Sequence, residues 1–255
     1  MDADVEILTV DETNLDRLGF FCYKSKRKSN GYARKLSWMR DRLAEGLRLH
    51  ILFENGSSKG FVESIPGQYA WRAVNAEGYL FLHCMWVVGK AKGKGYGSLL
   101  LEACIHEASE RGFKGVSVLT SEETWLPGSA FFVNHGFEIS DTADPTFSLM
   151  TLHFNHDNEP SLPTDWISRI EASGSDLTVV YTDQCPYIDR MKQAVHNVAD
   201  LLKIPVAEVR LSSAREVQTL APSPYGVYAI IYRGELLVSH PIGTDALFQL
   251  MQGRV

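Results

Sequence analysis

The chain has 255 residues, 45% hydrophobic and 22% charged, with a formal charge of −6, enough for one large globular domain or two ordinary ones. The acidic balance argues against a general nucleic-acid binder, no apolar run approaches a membrane span, and the acidic opening Met1-Asp-Ala-Asp-Val-Glu is unlike a signal peptide. Cys22, Cys84, Cys104 and Cys185 are scattered without metal-ligand spacing, which predicts a reducing cytoplasm, no disulfide framework and no metal site.

In chain order, Asn14 to Tyr23 reads as a helix with Leu15, Leu18 and Phe21 along one face. The basic run from Lys24 to Gly31 reads as a solvated loop. Gly31 to Gly46 reads as a second helix, with Leu36, Met39 and Leu43 at helical spacing and Arg34, Lys35, Arg40 and Arg42 turned to water. Arg48 to Glu54 and Gly60 to Ile65 form a hairpin around an Asn55-Gly56 turn. The aromatic, irregular stretch from Pro66 to Arg72 is a candidate lid or substrate wall.

Tyr79 to Val88 is uncharged and rich in aromatic and β-branched residues, as a strand covered on both faces should be. From Leu100, apolar residues at Leu100, Ala103, Cys104 and Ala108 mark an amphipathic helix, stopped at Gly112. Between them runs Lys92-Gly93-Lys94-Gly95-Tyr96-Gly97-Ser98. Glycines here leave backbone amides uncovered at a helix N-terminus, where the dipole favours an anion, so the turn is a seat for phosphate. Lys90, Lys92 and Lys94 add positive charge. A Walker loop needs a Gly-Lys-Ser/Thr ending, which is missing, and Ser98 stands where the dinucleotide pattern needs its third glycine.

What does fit is a basic residue followed by x-x-Gly-x-Gly after a hydrophobic strand. That run resembles the coenzyme A pyrophosphate loop of the GNAT acyltransferase superfamily, with Lys92 where arginine or glutamine is more usual. Ser129-Ala-Phe-Phe-Val-Asn-His-Gly136-Phe137 resembles that superfamily's second signature, a short helix leading into Gly-Phe and a strand. The runs Gly60 to Val74 and Leu82 to Val87 are similar to its YoaP-like branch. The resemblance implies an N-terminal domain, 1–157, with a mixed, mostly antiparallel twisted sheet flanked by helices, and acetyl-CoA as co-substrate. It implies that Met85, Trp86 and Val87 offer free amides to the pantetheine arm, and that Lys92 to Gly97 with Ser98 cradle the pyrophosphate. Amides near Met85 would also polarise the thioester carbonyl.

One departure stands out. Many GNAT enzymes carry a tyrosine five residues before the Gly-Phe phenylalanine to protonate the leaving thiolate, and here that residue is Phe132. A base that deprotonates the acceptor amine is also needed. The candidates are Glu63, which could equally be a carboxylate at a solvated strand end, and His83, which could equally be a satisfied core histidine. Period-2 alternation places His83 on one face with Met85 and Val87, opposite Cys84 and Trp86.

After Phe154 a polar, proline-bearing linker from Asn155 leads to a second pattern. A helix (Thr164 to Ala172) precedes a strand from Leu177, a helix ending near Leu202, a strand (Glu208 to Leu211) and a helix (Ala214 to Leu220). Strands from Val227 and Glu235 and a helix from Thr244 complete it. The order is that of a smaller α/β thioredoxin-like domain, 163–255, and resembles the YoaP-like C-terminal domain. Cys185, ahead of Pro186 at the first helical position, is a candidate reactive thiol, because a helix N-terminus favours thiolate; the alternative is a retained fold with no thiol chemistry, serving as a substrate wall or dimer contact. Ile188 stands where a second cysteine would be, which excludes dithiol cycling within this motif.

Two functions therefore stand side by side. One is a cytoplasmic N-acetyltransferase acting directly on a small-molecule or amino-acid-like amine. The other is a non-catalytic or redox-responsive coenzyme A binding protein with a monothiol module. A homodimer is left open in either case.

Overall fold

The structure is a computed structural model describing residues 4–155, 159–174 and 176–254. Residues 1–3 of the acidic opening and 156–158 of the linker lie outside the described residues. The chain forms two compact units: residues 1–27, 36–70 and 74–162, and residues 28–35, 71–73 and 163–255.

The first unit is built on a seven-stranded sheet in the order β1-β2-β3-β4-β5-β7-β6. Its strands are β1 (Val5–Val10), β2 (Arg48–Glu54), β3 (Ser57–Pro66), β4 (Leu80–Val87), β5 (Gly115–Thr120), β6 (Glu138–Ala143) and β7 (Phe147–His153). Neighbours run antiparallel except β4 and β5, which are parallel because helix α3 (Tyr96–Glu110) returns the chain between them. The β2–β3 hairpin turns at Asn55 and Gly56, both at positive φ (50° and 70°), as the Asn-Gly pair predicts. The edge strand β1 was not expected from the acidic opening; it pairs with β2 along its whole length.

α3 lies on one face of this sheet. Leu100, Leu101, Cys104 and Ala108 pack against Leu52, Val62, Leu80, Leu82, Val116 and Val118. Burying each of the leucines stabilises the fold by about 1.5–3 kcal/mol. Gly112, at φ +72°, follows the helix end as expected. The first helix is much shorter than its periodicity predicts. α1 covers only Leu15–Leu18, because Gly19 at φ +64° donates back to Leu15 O and turns the chain away. α2 (Asn30–Leu43) buries Met39 and Leu43. The short α4 (Ser129–Val133) leads into Gly136, at φ +82°, and Phe137.

The second unit has a four-stranded sheet, β11-β10-β8-β9, from β8 (Leu177–Tyr181), β9 (Val206–Arg210), β10 (Tyr228–Tyr232) and β11 (Glu235–Val238). β8 and β9 are parallel through α6 (Ile188–Leu202), and β10 is antiparallel to both of its neighbours. α5 (Trp166–Ala172), α7 (Ala214–Leu220) and α8 (Thr244–Met251) complete the unit.

Two expectations need correction here. Arg34 and Lys35 do not face water: Lys35 is 4% exposed, and Arg34 is ion-paired to Asp183 (3.0 Å) and Asp189 (2.6 Å). The first turn of α2 packs within the second unit, where those carboxylates supply the counter-charge. Nor is the stretch from Pro66 to Arg72 a free lid. Ala70, Trp71 and Arg72 are buried, and a Cβ on Gly67 would lie 1.8 Å from Ala76 O, so this backbone is fixed by close packing. Among the described residues no helix is long and apolar enough to cross a membrane.

Candidate functional site

The site begins with an irregularity in β4. In the β3–β4 ladder Glu63 lies opposite Cys84 while Ser64 lies opposite Leu82, so His83 is an extra residue, a β-bulge. The bulge breaks period-2 alternation. Leu80 and Leu82 before it, and Met85 and Val87 after it, all pack into the α3 cluster. His83 therefore does not share a face with Met85 and Val87. It turns to the opposite face, with its ring centroid 6.1 Å from those of both Trp38 and Phe81.

Beyond the bulge the ladder to β5 stops. β4 pairs with β5 only at Leu80, Phe81 and Leu82, although β5 continues to Thr120. From Met85 to Val87 the β5-facing edge of β4 has no ladder partner among the described residues. Such an edge can accept an extended ligand as a further strand would be accepted.

Glu63 and His83 meet across the bulge, Oε1 to Nδ1, at 3.3 Å, with side chains 4% and 0% exposed. Glu63 is thus not a carboxylate at a solvated strand end. Antiparallel pairing with Leu49 and Cys84 holds it in the middle of the sheet. A buried carboxylate beside an imidazole is an arrangement that can accept and pass on a proton.

The glycine-rich turn follows β4. Gly93 and Gly95 have φ of +80° and +79°, and a Cβ on either would meet no atom within 4 Å. The glycines are there for backbone conformation, and the space above the turn is open. Gly95 caps α3 without a side-chain bond, and Leu99 N–H donates to Gly95 O at 3.1 Å. The amides of Tyr96, Gly97 and Ser98 thus precede the first intrahelical bond and have no acceptor within the helix. At Gly97 a side chain would press on the Phe131 ring, 3.3 Å from its Cβ position.

The lysines of the turn are not equivalent. Lys94 Nζ donates to Glu54 Oε1 at 2.6 Å, and the Tyr96 hydroxyl donates to the same oxygen. Hydrogen bonds from Lys94 and then Tyr96 hold the Glu54 carboxyl below its usual range. Much of the Lys94 charge is therefore already neutralised. Lys92 instead lies over the exposed indole of Trp86, 5.0 Å from its centroid. Glu54 was not foreseen as part of this site, because forty residues of sequence separate it from Lys94 and no local pattern links them.

Phe132 is fully buried against Phe131 and Phe137 and offers no proton. His135 lies in the same signature. Its Nδ1 lies 2.8 Å from Phe131 O and its Nε2 2.9 Å from Ser98 Oγ.

Cys185, in the second unit, is half-buried in a turn where Ile188 N–H donates to Cys185 O at 3.3 Å. α6 starts only at Ile188, after Tyr187, so Pro186 is not its first helical residue. The turn is held back by its neighbours. Asp183 is ion-paired to Arg34 and Arg210, Arg72 donates to Gln184, and a Cβ on Gly31 would lie 2.3 Å from Pro186 O. Among the described residues no group of three or more His, Cys, Asp or Glu side chains is arranged to hold a metal ion.

Residues 12–137 match the acetyltransferase (GNAT) family. Over 238 residues the chain is 26% identical to the uncharacterised N-acetyltransferase YoaP of Bacillus subtilis (strain 168), spanning 92% of this chain and 93% of that protein. Among solved structures it is similar to the PaiA N-acetyltransferase of Thermoplasma acidophilum in complex with coenzyme A. That match has a TM-score of 0.43 and 13% identity, covering 59% of this chain and 99% of the other. It is also similar to the ribosomal-protein-S18-alanine N-acetyltransferase of Escherichia coli, with a TM-score of 0.42 and 17% identity, covering 61% and 97%.

Proposed function

The chain belongs to the acetyltransferase (GNAT) family, and from that premise we propose that it transfers an acetyl group directly from acetyl-CoA to the amine of a small-molecule or amino-acid-like acceptor. The observation that carries this reading is one continuous backbone feature. The β4 edge from Met85 to Val87, beyond the ladder to β5, leads into an open glycine turn and an uncapped helix start. An extended arm ending in a pyrophosphate matches that run of peptide groups in order. The residues present fit it, since a Cβ at Gly93 or Gly95 would intrude into the same open space.

In this reading Met85, Trp86 and Val87 bind the arm through their backbone. Lys92 to Gly97, with Ser98, hold the paired phosphates against the positive end of α3. Lys92 contributes a charge that Glu54 does not neutralise. The thioester supplies the activated acetyl group. Amides beside the bulge stabilise negative charge on its carbonyl oxygen, which is electrostatic catalysis by fixed dipoles. Glu63, with His83, accepts the proton that the amine must lose, and the surrounding aromatic rings exclude bulk water. Catalysis then rests largely on positioning. The strand order β9-β8-β10-β11, with its parallel β8–β9 pair, supports a thioredoxin-like reading of the second unit.

Phe132 favours a second reading, because a site without that proton donor suits a protein that binds coenzyme A and does not turn it over. Measuring thiol release from acetyl-CoA over a panel of amines separates the two. Amine-dependent release is expected. Binding of acetyl-CoA with no release for any amine would select the second reading, and no calorimetric binding of acetyl-CoA would overturn both.

A further inference from the structure

The hydrogen bonds around His135 set the direction of a hydroxyl at the proposed phosphate seat. Phe131 O is a carbonyl oxygen and can only accept, so His135 Nδ1 carries a hydrogen and donates to it across 2.8 Å. In the neutral ring Nε2 is then an acceptor, and the only proton of the Ser98 hydroxyl is directed at it across 2.9 Å. Ser98 consequently turns lone pairs, not its proton, toward the start of α3. Lone pairs repel phosphate oxygens. When the ring is protonated, Nε2–H donates to Ser98 Oγ, the Nδ1–H bond to Phe131 O is kept, and the hydroxyl proton is released to point outward.

We propose that His135 is a positioning residue for the phosphates: its protonation turns Ser98 into a donor, so that binding of the pyrophosphate takes up a proton from solvent. This rests on the reading of the glycine turn as the coenzyme seat. The proton goes to Nε2, no covalent bond changes, and the imidazolium adds a positive charge beside the uncapped helix start. The titratable side chains on α3, β6 and β7 are Tyr96, Glu102, Cys104, His106, Glu107, Glu110, Glu138, Asp141 and His153. Tyr96 is bonded to Glu54, Cys104 is buried, Glu107 is bonded to His50 and Arg111, and Asp141 accepts from Leu162 N–H. Glu102 and Glu138 are exposed, His106 is paired with Glu110, and His153 bonds the Tyr79 hydroxyl. The two ring nitrogens of His135 are taken by Phe131 O and Ser98. Histidine is the side chain whose charge ordinarily changes near neutrality.

The test is calorimetric titration with dephospho-coenzyme A, whose pyrophosphate does not ionise near neutrality, whereas a terminal phosphate monoester would. Wild type is expected to bind about tenfold tighter near pH 6 than near pH 8, the effect of one charge-assisted hydrogen bond. It should also take up a fraction of a proton, read from buffers of different ionisation heat. His135→Leu and Ser98→Ala are each expected to bind with little dependence on pH. Should His135→Leu fail to fold, Ser98→Ala, a small change on a helix surface, carries the comparison alone. Equal wild-type affinity at both pH values, or full pH dependence kept by Ser98→Ala, overturns the proposal and leaves the coenzyme reading standing. No binding of dephospho-coenzyme A or acetyl-CoA at either pH overturns both.

Discussion

Glu63 and His83 sit in one of the most protected places of the first unit, and their burial decides what they can do. A carboxylate beside an imidazole can take a proton and pass it on. Glu63→Gln keeps the shape and removes that capacity. In steady-state assays kcat is expected to fall by about a hundredfold, with KM for acetyl-CoA nearly unchanged. An unaltered kcat would remove Glu63 from the proton path. Cys104 illustrates the opposite use of burial. Its thiol is pushed far up, first by desolvation and then by the nearby Glu107 charge, against a weaker opposing bond from Ser64. Native iodoacetamide labelling should therefore modify Cys104 last of the four cysteines, as followed by mass spectrometry. Early modification of Cys104 would contradict its burial between α3 and the sheet.

At the scale of elements, two connections hold α3 in place. At its start, Gly95 at φ +79° needs the freedom of glycine. Gly95→Ala meets no packing clash, so its cost is backbone strain of about 1 kcal/mol, seen as a modest drop in Tm. Its effect on acetyl-CoA binding should be larger than that, because the amides of the turn move together. Similar losses in both would place the phosphates elsewhere.

Farther along, Glu107 accepts from His50 Nε2 at 2.8 Å and from Arg111 at 2.6 Å, while His50 Nδ1 bonds Thr9 at 2.9 Å, tying α3 to β2 and β1. Desolvation raises the Glu107 pKa, but the bonds and charges of His50 and Arg111 outweigh it and the net shift is downward. A lowered carboxyl pKa contributes stability above the unfolded value, and that stability is lost as pH falls through the folded value. Glu107→Gln should therefore lose about 1–2 kcal/mol near neutrality, with the gap to wild type closing in acid below about pH 4. Urea unfolding at several pH values measures this, and a gap that persists in acid would mean packing, not charge, is responsible.

On the scale of the whole molecule, the second unit draws residues 28–35 and 71–73 from the first half of the sequence. Arg34 finds its carboxylates at Asp183 and Asp189, Arg72 bonds Gln184, and Ala73 N–H donates to Pro224 O at 3.3 Å. A chain ending at Leu162 would leave Arg72, 4% exposed in the full chain, without that partner. Such a truncation is expected to melt at a lower temperature than the full chain by circular dichroism. Equal midpoints would show that these bonds add nothing to stability.

The amino-acid sequence by itself determines whatever the backbone does locally. The strand Arg48–Glu54 and the Asn-Gly hairpin turn are each specified by residue type or by positive φ, over a few adjacent residues. The same is true of the glycine turn, since Gly93, Gly95 and the helix after them announce themselves within one short run. The bulge at His83 was not legible, because one extra residue leaves no mark in hydrophobicity yet reverses every side chain after it. Nor were the bonds of Glu54 to Lys94, His135 to Ser98 and Arg34 to Asp183. Each joins groups far apart along the chain, and charge and hydrogen bonding act through space, so only the folded arrangement decides which partners meet.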